Sequence, residues 1–120
     1  MGAQWVQSAP MFCTYDLHSH STASDGTLQP AALVRAADAA GVSVLALTDH
    51  DTTAGVAEAR EAAAGLNIEL LAGVEISVTW SSQTVHIVGL GVDPEDETLQ
   101  AGLHSLRDFR DWRAKEIGRR

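Results

Sequence analysis

The chain has 120 residues, sixteen acidic side chains against eight basic ones, and a net charge of −8. That length suits one domain, with a core that buries roughly two-thirds of the unfolded surface. The charge argues against a broad basic face for duplex nucleic acid, and no apolar run nears the ~20 residues of a membrane-spanning helix. A small phosphorylated ligand is still compatible, because bound cations reverse the local sign. The single Cys13 cannot form an internal disulfide, fits a reducing compartment and reads as a buried strand residue. The first ten residues lack the basic and apolar regions of a signal peptide, so the expected location is cytoplasmic.

Residues 1–11 read as a loose N-terminal extension. Residues 12–18 are expected to form the first strand, a short apolar run that ends in Leu17 and His18. The polar loop over residues 19–29 contains Asp25-Gly26, a turn signal. Pro30 suits the first position of a helix that continues over residues 31–40, and Gly41 is placed to end it. Gln29 is a poor N-cap for that helix. Residues 42–48 are almost continuously apolar, the pattern of a parallel strand buried on both faces. Asp49-His50-Asp51 closes that strand, and Thr52 or Thr53 is positioned to cap a helix through Val56, Ala59 and Ala63. A third strand is expected over residues 68–76, with Glu75 near its end, then a polar turn over residues 79–84. The fourth strand, residues 85–92, carries His86. Asp93-Pro94-Glu95-Asp96 opens the last helix with an N-cap, a proline at the first position and acids in the first turn. Apolar strands alternating with helices predict an α/β fold on a parallel sheet.

In such sheets ligands sit at the carboxyl ends of the strands. His18 and His20 lie two residues apart, so on a strand they share one face. His50 follows the second strand, and Glu75 ends the third. Imidazoles and a carboxylate on one rim are costly to bury unless paired or ligated. The set suits zinc, iron or manganese. Asp25 either joins that set or shapes the Asp-Gly turn. His86 is either a ligand or a satisfied core histidine between Val85 and Ile87. Asp49 and Asp51 are candidates for orienting His50 from behind, as carboxylates do for metal-bound histidines, although Asp51 also fits a helix N-cap. His104 reads as a solvated position. Arg107, Arg110 and Arg113 recur every three residues, either as a snorkelling face or as a phosphate-facing stripe.

Four segments in order complete the pattern: Asp16-Leu-His-Ser-His-Ser-Thr running to Asp25-Gly-Thr, Thr48-Asp-His-Asp-Thr, Gly73-Val-Glu-Ile-Ser, and Val85-His-Ile. As an ordered set they closely resemble the polymerase and histidinol phosphatase (PHP) family. The likeness is strongest to its 3′,5′-nucleotide bisphosphate phosphatases and short-RNA 5′–3′ exoribonucleases. The resemblance implies the N-terminal portion of a distorted (β/α)7 TIM-like barrel over residues 12–93, with residues 94–120 as the start of a helical insertion. It implies two to three divalent transition metals (Mn, Zn or Fe) in the complete domain. His18, His20 and Glu75 would hold the first, Asp25 and His50 the second, and Glu75 with His86 a third. The family's further histidine and later Asp-x-His do not occur in this chain. A closed α/β barrel needs about 200 residues. The resemblance therefore implies a fragment, a truncated product or half of an assembly, completed by the missing C-terminal half of the barrel.

The implied activity is metal-dependent phosphatase or phosphodiesterase chemistry on a small phosphorylated nucleotide or the 5′ end of a short RNA. Whether this chain is active by itself stays open. Alternatives are the PHP module of a bacterial DNA polymerase and a non-catalytic metal-binding fragment. Amidohydrolases also begin with His-x-His, but many bridge their metals with a carboxylated lysine, and the only lysine here is Lys115, in a late helix.

Overall fold

The computed structural model describes residues 13–118. The extension expected over residues 1–11, and Phe12 at the expected start of the first strand, lie outside the described residues. Seven elements follow in order: β1 (Tyr15–Ser19), α1 (Pro30–Ala39), β2 (Val44–Leu47), α2 (Val56–Ala63), β3 (Glu69–Trp80), β4 (Gln83–Leu90) and α3 (Glu97–Gly118). The strands form one sheet in the order β1-β2-β3-β4. β1, β2 and β3 run parallel, with Tyr15 opposite Val44 and Val44 opposite Glu69.

β2 is buried along its whole length, which accounts for its unbroken apolar sequence. Leu45, Leu47, Ile68 and Ala72 of the sheet side pack with Val34 of α1 and Val56, Ala59 and Ala63 of α2. Val56, Ala59 and Ala63 recur at three- and four-residue spacing, so one apolar stripe of α2 faces the sheet, and Leu33 and Ala37 pack beside Val34 on α1. α1 starts at Pro30 without a side-chain cap from Gln29. Gly41 follows it at φ +88°, a left-handed conformation that glycine adopts without a Cβ clash.

Several expectations change. Cys13 is exposed and precedes β1 rather than lying buried within it. β3 runs well past Glu75 to Trp80 and turns back through Ser81 and Ser82 at φ +52° and +66°. Two consecutive positive φ values give the turn a twist that matches a hairpin, so β4 pairs antiparallel with β3. α2 is preceded by Gly55, while Thr52 Oγ1 accepts from the Ala54 amide and Thr53 Oγ1 from Gln100 Nε2. Asp93 shapes a turn, accepting from the amides of Glu95 and Asp96, and α3 begins three residues later than Pro94 at Glu97.

The outer strands carry exposed apolar side chains: Tyr15 and Leu17 on β1, and Val85, Ile87, Val88 and Leu90 on β4. α3 meets the body through the buried Leu103 and through polar contacts of Gln100, Arg107, Arg110 and Arg113. Among the described residues no helix is long and apolar enough to cross a membrane.

Candidate metal centre

Backbone geometry brings the first partners together. The Glu75 amide donates to Asp49 O at 3.0 Å, and the Asp51 amide donates to Glu75 O at 2.9 Å. This parallel bridge sets His50 beside Glu75. On the other side of β2 the register of β1 slips between Asp16 and Ser19. Ser19 replaces the lost ladder bonds: its hydroxyl donates to Ala46 O, its amide to Thr48 Oγ1, and its carbonyl accepts from the Thr48 amide. A bulge of this kind re-aims side chains at a strand end, and here His18 and His20 both turn towards Glu75.

Glu75 is the hub. Its residue surface is only 5% exposed. His18 Nε2 stands 2.7 Å and His20 Nε2 3.0 Å from Glu75 Oε1, and the two Nε2 atoms are 3.1 Å apart. His50 Nε2 lies 3.2 Å from Asp25 Oδ2 and 3.9 Å from Glu75 Oε1. His86 Nδ1 lies 3.1 Å from the other hub oxygen, Glu75 Oε2, and 2.9 Å from Ser77 Oγ. Burial pushes the Glu75 carboxyl up, but the hydrogen bond from His18 and the charges of His50, His18 and His20 together outweigh it. The carboxyl is held below its ordinary value.

His86 arrives by a route the sequence pattern did not suggest. It sits midway along β4, not at a carboxyl end. Antiparallel pairing sets it opposite Ser77, two residues beyond Glu75, and so on the same face of the sheet as Glu75.

The donor set fits divalent cations. Ligands bonded at ~2.0–2.2 Å to one ion stand roughly 2.8–3.6 Å apart between right-angle and tetrahedral geometry. The 3.0 and 3.1 Å separations of His20 from Glu75 and His18 fall in that range, and the 2.7 Å of His18 from Glu75 just below it. Three overlapping triples gather ligand atoms within 4.8 Å: His18, His20 and Glu75; His20, Asp25 and His50; His50, Glu75 and His86. His20 Nδ1 is buried without a hydrogen-bond partner and faces Asp25 Oδ1 at 3.6 Å. Hydrogen bonds alone do not satisfy the cluster. A neutral imidazole has one N–H, so His18 and His20 cannot each donate both to Glu75 and to the other.

Asp49 and Asp51 do other work than orienting the His50 ring. Asp49 is buried and accepts from the Ser21 amide at 2.6 Å, the Ser21 hydroxyl at 2.7 Å and the Ser24 hydroxyl at 2.7 Å. It thereby holds the loop that carries Asp25. Gly26 completes that loop, because a Cβ there would fall on the carbonyl of His20. Asp51, buried and at φ +54°, is bound by α3: its carbonyl accepts from Arg107 Nη1 at 2.7 Å, and its Oδ2 meets Arg110 Nη1 at 3.1 Å. Asp51 Oδ1 is buried without a partner. His104 stays apart, exposed and beside Asp108 one turn on. Ser21, Ser24 and Ser77 escaped the sequence reading. Ser21 and Ser24, in a polar loop, give no signal until the buried Asp49 they serve is known, and Ser77, on β3, gives none until the pairing with His86 is known.

A family model described as PHP domain matches residues 16–107. The chain is 53% identical over 103 residues to a 3′,5′-nucleoside bisphosphate phosphatase of Chromobacterium violaceum, a match covering 86% of this chain and 36% of that protein. It is 55% identical over 104 residues to a 5′-3′ exoribonuclease of Haemophilus influenzae, covering 87% of this chain and 38% of that protein. A solved Chromobacterium violaceum structure, described as an amidohydrolase with bound sulfate and no metal, superposes with a TM-score of 0.82 at 52% identity. That match covers 88% of this chain and 37% of the other. The chain thus spans little more than a third of the length of these relatives.

Proposed function

The chain belongs to the PHP domain family, and from that premise we propose that it is the metal-binding N-terminal portion of a phosphoesterase acting on nucleotides. The four-stranded sheet with its helices is then the first part of a barrel, and the exposed apolar residues of β1 and β4 are where further strands pack. The substrate is a 3′,5′-bisphosphate nucleotide, the class named in one relative, or the 5′ end of a short RNA, in line with the 5′-3′ exoribonuclease named as the other. One observation carries this reading: four imidazoles and Asp25 gather around the buried carboxylate of Glu75.

His18, His20 and Glu75 would hold one divalent ion, Asp25 and His50 a second, and His86 with Glu75 a third. When bound, such ions would lower the pKa of water so that hydroxide is available as the nucleophile, and would neutralise charge on the phosphate oxygens. The chain's own residues prepare that environment. Glu75 stays ionised and presents one oxygen to His18 and His20 and the other to His86. Ser77 steadies the His86 ring through Nδ1. Asp49 holds Asp25 in place through Ser21 and Ser24. Among the described residues no side chain is placed as a nucleophile; the histidines would bind and orient.

The test is a chimera in which this chain replaces the matching N-terminal part of the Chromobacterium violaceum phosphatase. With manganese or zinc supplied, it is expected to release phosphate from adenosine 3′,5′-bisphosphate and to lose that activity on His18→Ala. A chimera that binds metal and cleaves no nucleotide phosphate sinks the proposal.

A further inference from the structure

Next to the metal centre lies an open cavity of about 510 Å³. That is within the roughly 300–1,000 Å³ of small-molecule sites. His50, Asp25, Ser24 and Thr52 form one side, and Arg107 and Arg110 of α3, with Ser77, line it as well. In a chain of net charge −8, two guanidinium groups line this cavity together with the Asp25 carboxylate, and an anionic occupant would be held on their side of it.

The two arginines are not equivalent. Arg110 meets a carboxylate, Asp51 Oδ2, at 3.1 Å, so its charge is largely answered. Arg107 spends one N–H on a neutral carbonyl, Asp51 O, at 2.7 Å. That bond fixes the side chain without cancelling its charge. A guanidinium has five N–H donors in a rigid fork suited to phosphate oxygens, so donors remain for a ligand. Asp51 anchors both arginines and directly follows His50 in the chain. The anion site is therefore tied to the loop that carries a proposed metal ligand.

We infer that Arg107, with Arg110 beside it, binds the phosphate of a nucleoside bisphosphate that is not hydrolysed, while the scissile phosphate meets the metal centre. This rests on the phosphoesterase reading and adds the residue that distinguishes bisphosphates from monophosphates. Arg113, on the same helix but bonded to Thr79 Oγ1, does not line this cavity and takes no part.

The experiment is calorimetric titration of the full chain in EDTA, so that neither metal nor turnover enters the readout. Adenosine 3′,5′-bisphosphate and adenosine are the probes, and circular dichroism checks each variant's fold. A charge-assisted hydrogen bond is worth a factor of roughly ten to a hundred in affinity. Arg107→Ala is expected to weaken bisphosphate binding by that factor. Arg107→Lys, which keeps the charge and a donor for Asp51 O, loses less. Arg113→Ala stays within about twofold of wild type. The inference is overturned if a folded Arg107→Ala or Arg107→Lys chain binds bisphosphate as wild type does. It is equally overturned if wild type binds bisphosphate no tighter than adenosine, or if Arg113→Ala weakens binding as much as Arg107→Ala. Failure of the phosphoesterase reading shows elsewhere, as a chimera without hydrolysis, and leaves these titrations interpretable.

Discussion

Replacing Asp49 should damage the proposed metal centre without touching any of its proposed ligand atoms. Asp49 is 1% exposed and accepts three hydrogen bonds of 2.6–2.7 Å from Ser21 and Ser24. Bonds to an ionised acceptor contribute about 1.5–3 kcal/mol each. Their simple sum overstates the loss, because the buried carboxylate also bears a desolvation cost of several kcal/mol. Removing it as Asp49→Ala leaves the Ser21 amide and two hydroxyls without their acceptor, at about 1–3 kcal/mol for each group left unpaired less what the hydroxyls regain by rotating, a net cost of about 2–5 kcal/mol. Total stabilities are only about 5–15 kcal/mol, so Asp49→Ala should come close to unfolding the chain. Asp49→Asn is the sharper probe. Its amide oxygen can still accept from the Ser21 amide and Ser24, and the Ser21 hydroxyl can rotate to accept from the new NH2. The expected loss is about 1–2 kcal/mol, one charge-assisted bond weakened to a neutral one. The Asp25 loop nonetheless loosens, and metal affinity should fall roughly ten- to a hundredfold, as when a group supporting metal ligands is removed. Urea melts give the first quantity, and manganese or zinc titration gives the second. An Asp49→Ala chain with a wild-type melt, or an Asp49→Asn chain with wild-type metal affinity, would refute the role assigned to Asp49.

Other outcomes follow from the same geometry. His18→Ala should lower bound metal well below wild type in elemental analysis, while His104→Ala, which removes only an exposed pair with Asp108, should leave metal content unchanged and stability within about 0.5 kcal/mol; equal metal loss in both would place the centre elsewhere. Gly26→Ala should cost about 1–3 kcal/mol from overpacking against the His20 carbonyl, and a urea midpoint equal to wild type would contradict the close approach. Glu75 sits below its ordinary 4.5 in the fold, so its ionised form stabilises the metal-free chain above that pH and the contribution fades as pH falls through the lower folded value. Metal-free Glu75→Gln should therefore lose more stability relative to wild type at pH 6 than at strongly acidic pH, and a gap that widens on acidification would reverse the assigned sign.

Much of the fold was legible because it depends on local patterns. The apolar run of β2, Pro30 at the start of α1 and Gly41 after it each express a constraint satisfied within a few residues. The misplacements have equally local causes. A polar stretch from Thr79 to Thr84 signals a turn, but only the positive φ of Ser81 and Ser82 makes it a tight hairpin, and that reverses β4. Asp93-Pro94 looks like a helix start, but its carboxylate closes a turn instead, and Glu97 begins the helix.

The sequence by itself determined the order of the candidate ligands and, for His18, His20, Asp25, His50 and Glu75, their place near the ends of the parallel-paired segments; His86 joins them only through the antiparallel pairing of β4. Chain order and strand periodicity are enough to place such residues near one rim. Only the tertiary structure decided what each does there. Glu75 became the hub because β3 passes between the loop of Asp49–Asp51 and the returning strand β4. Asp49 and Asp51, alike in sequence and two residues apart, part ways because one faces the serines of the Asp25 loop and the other faces the arginines of α3. Those partners lie 25 to 59 residues away along the chain, and no short-range pattern encodes a contact of that reach.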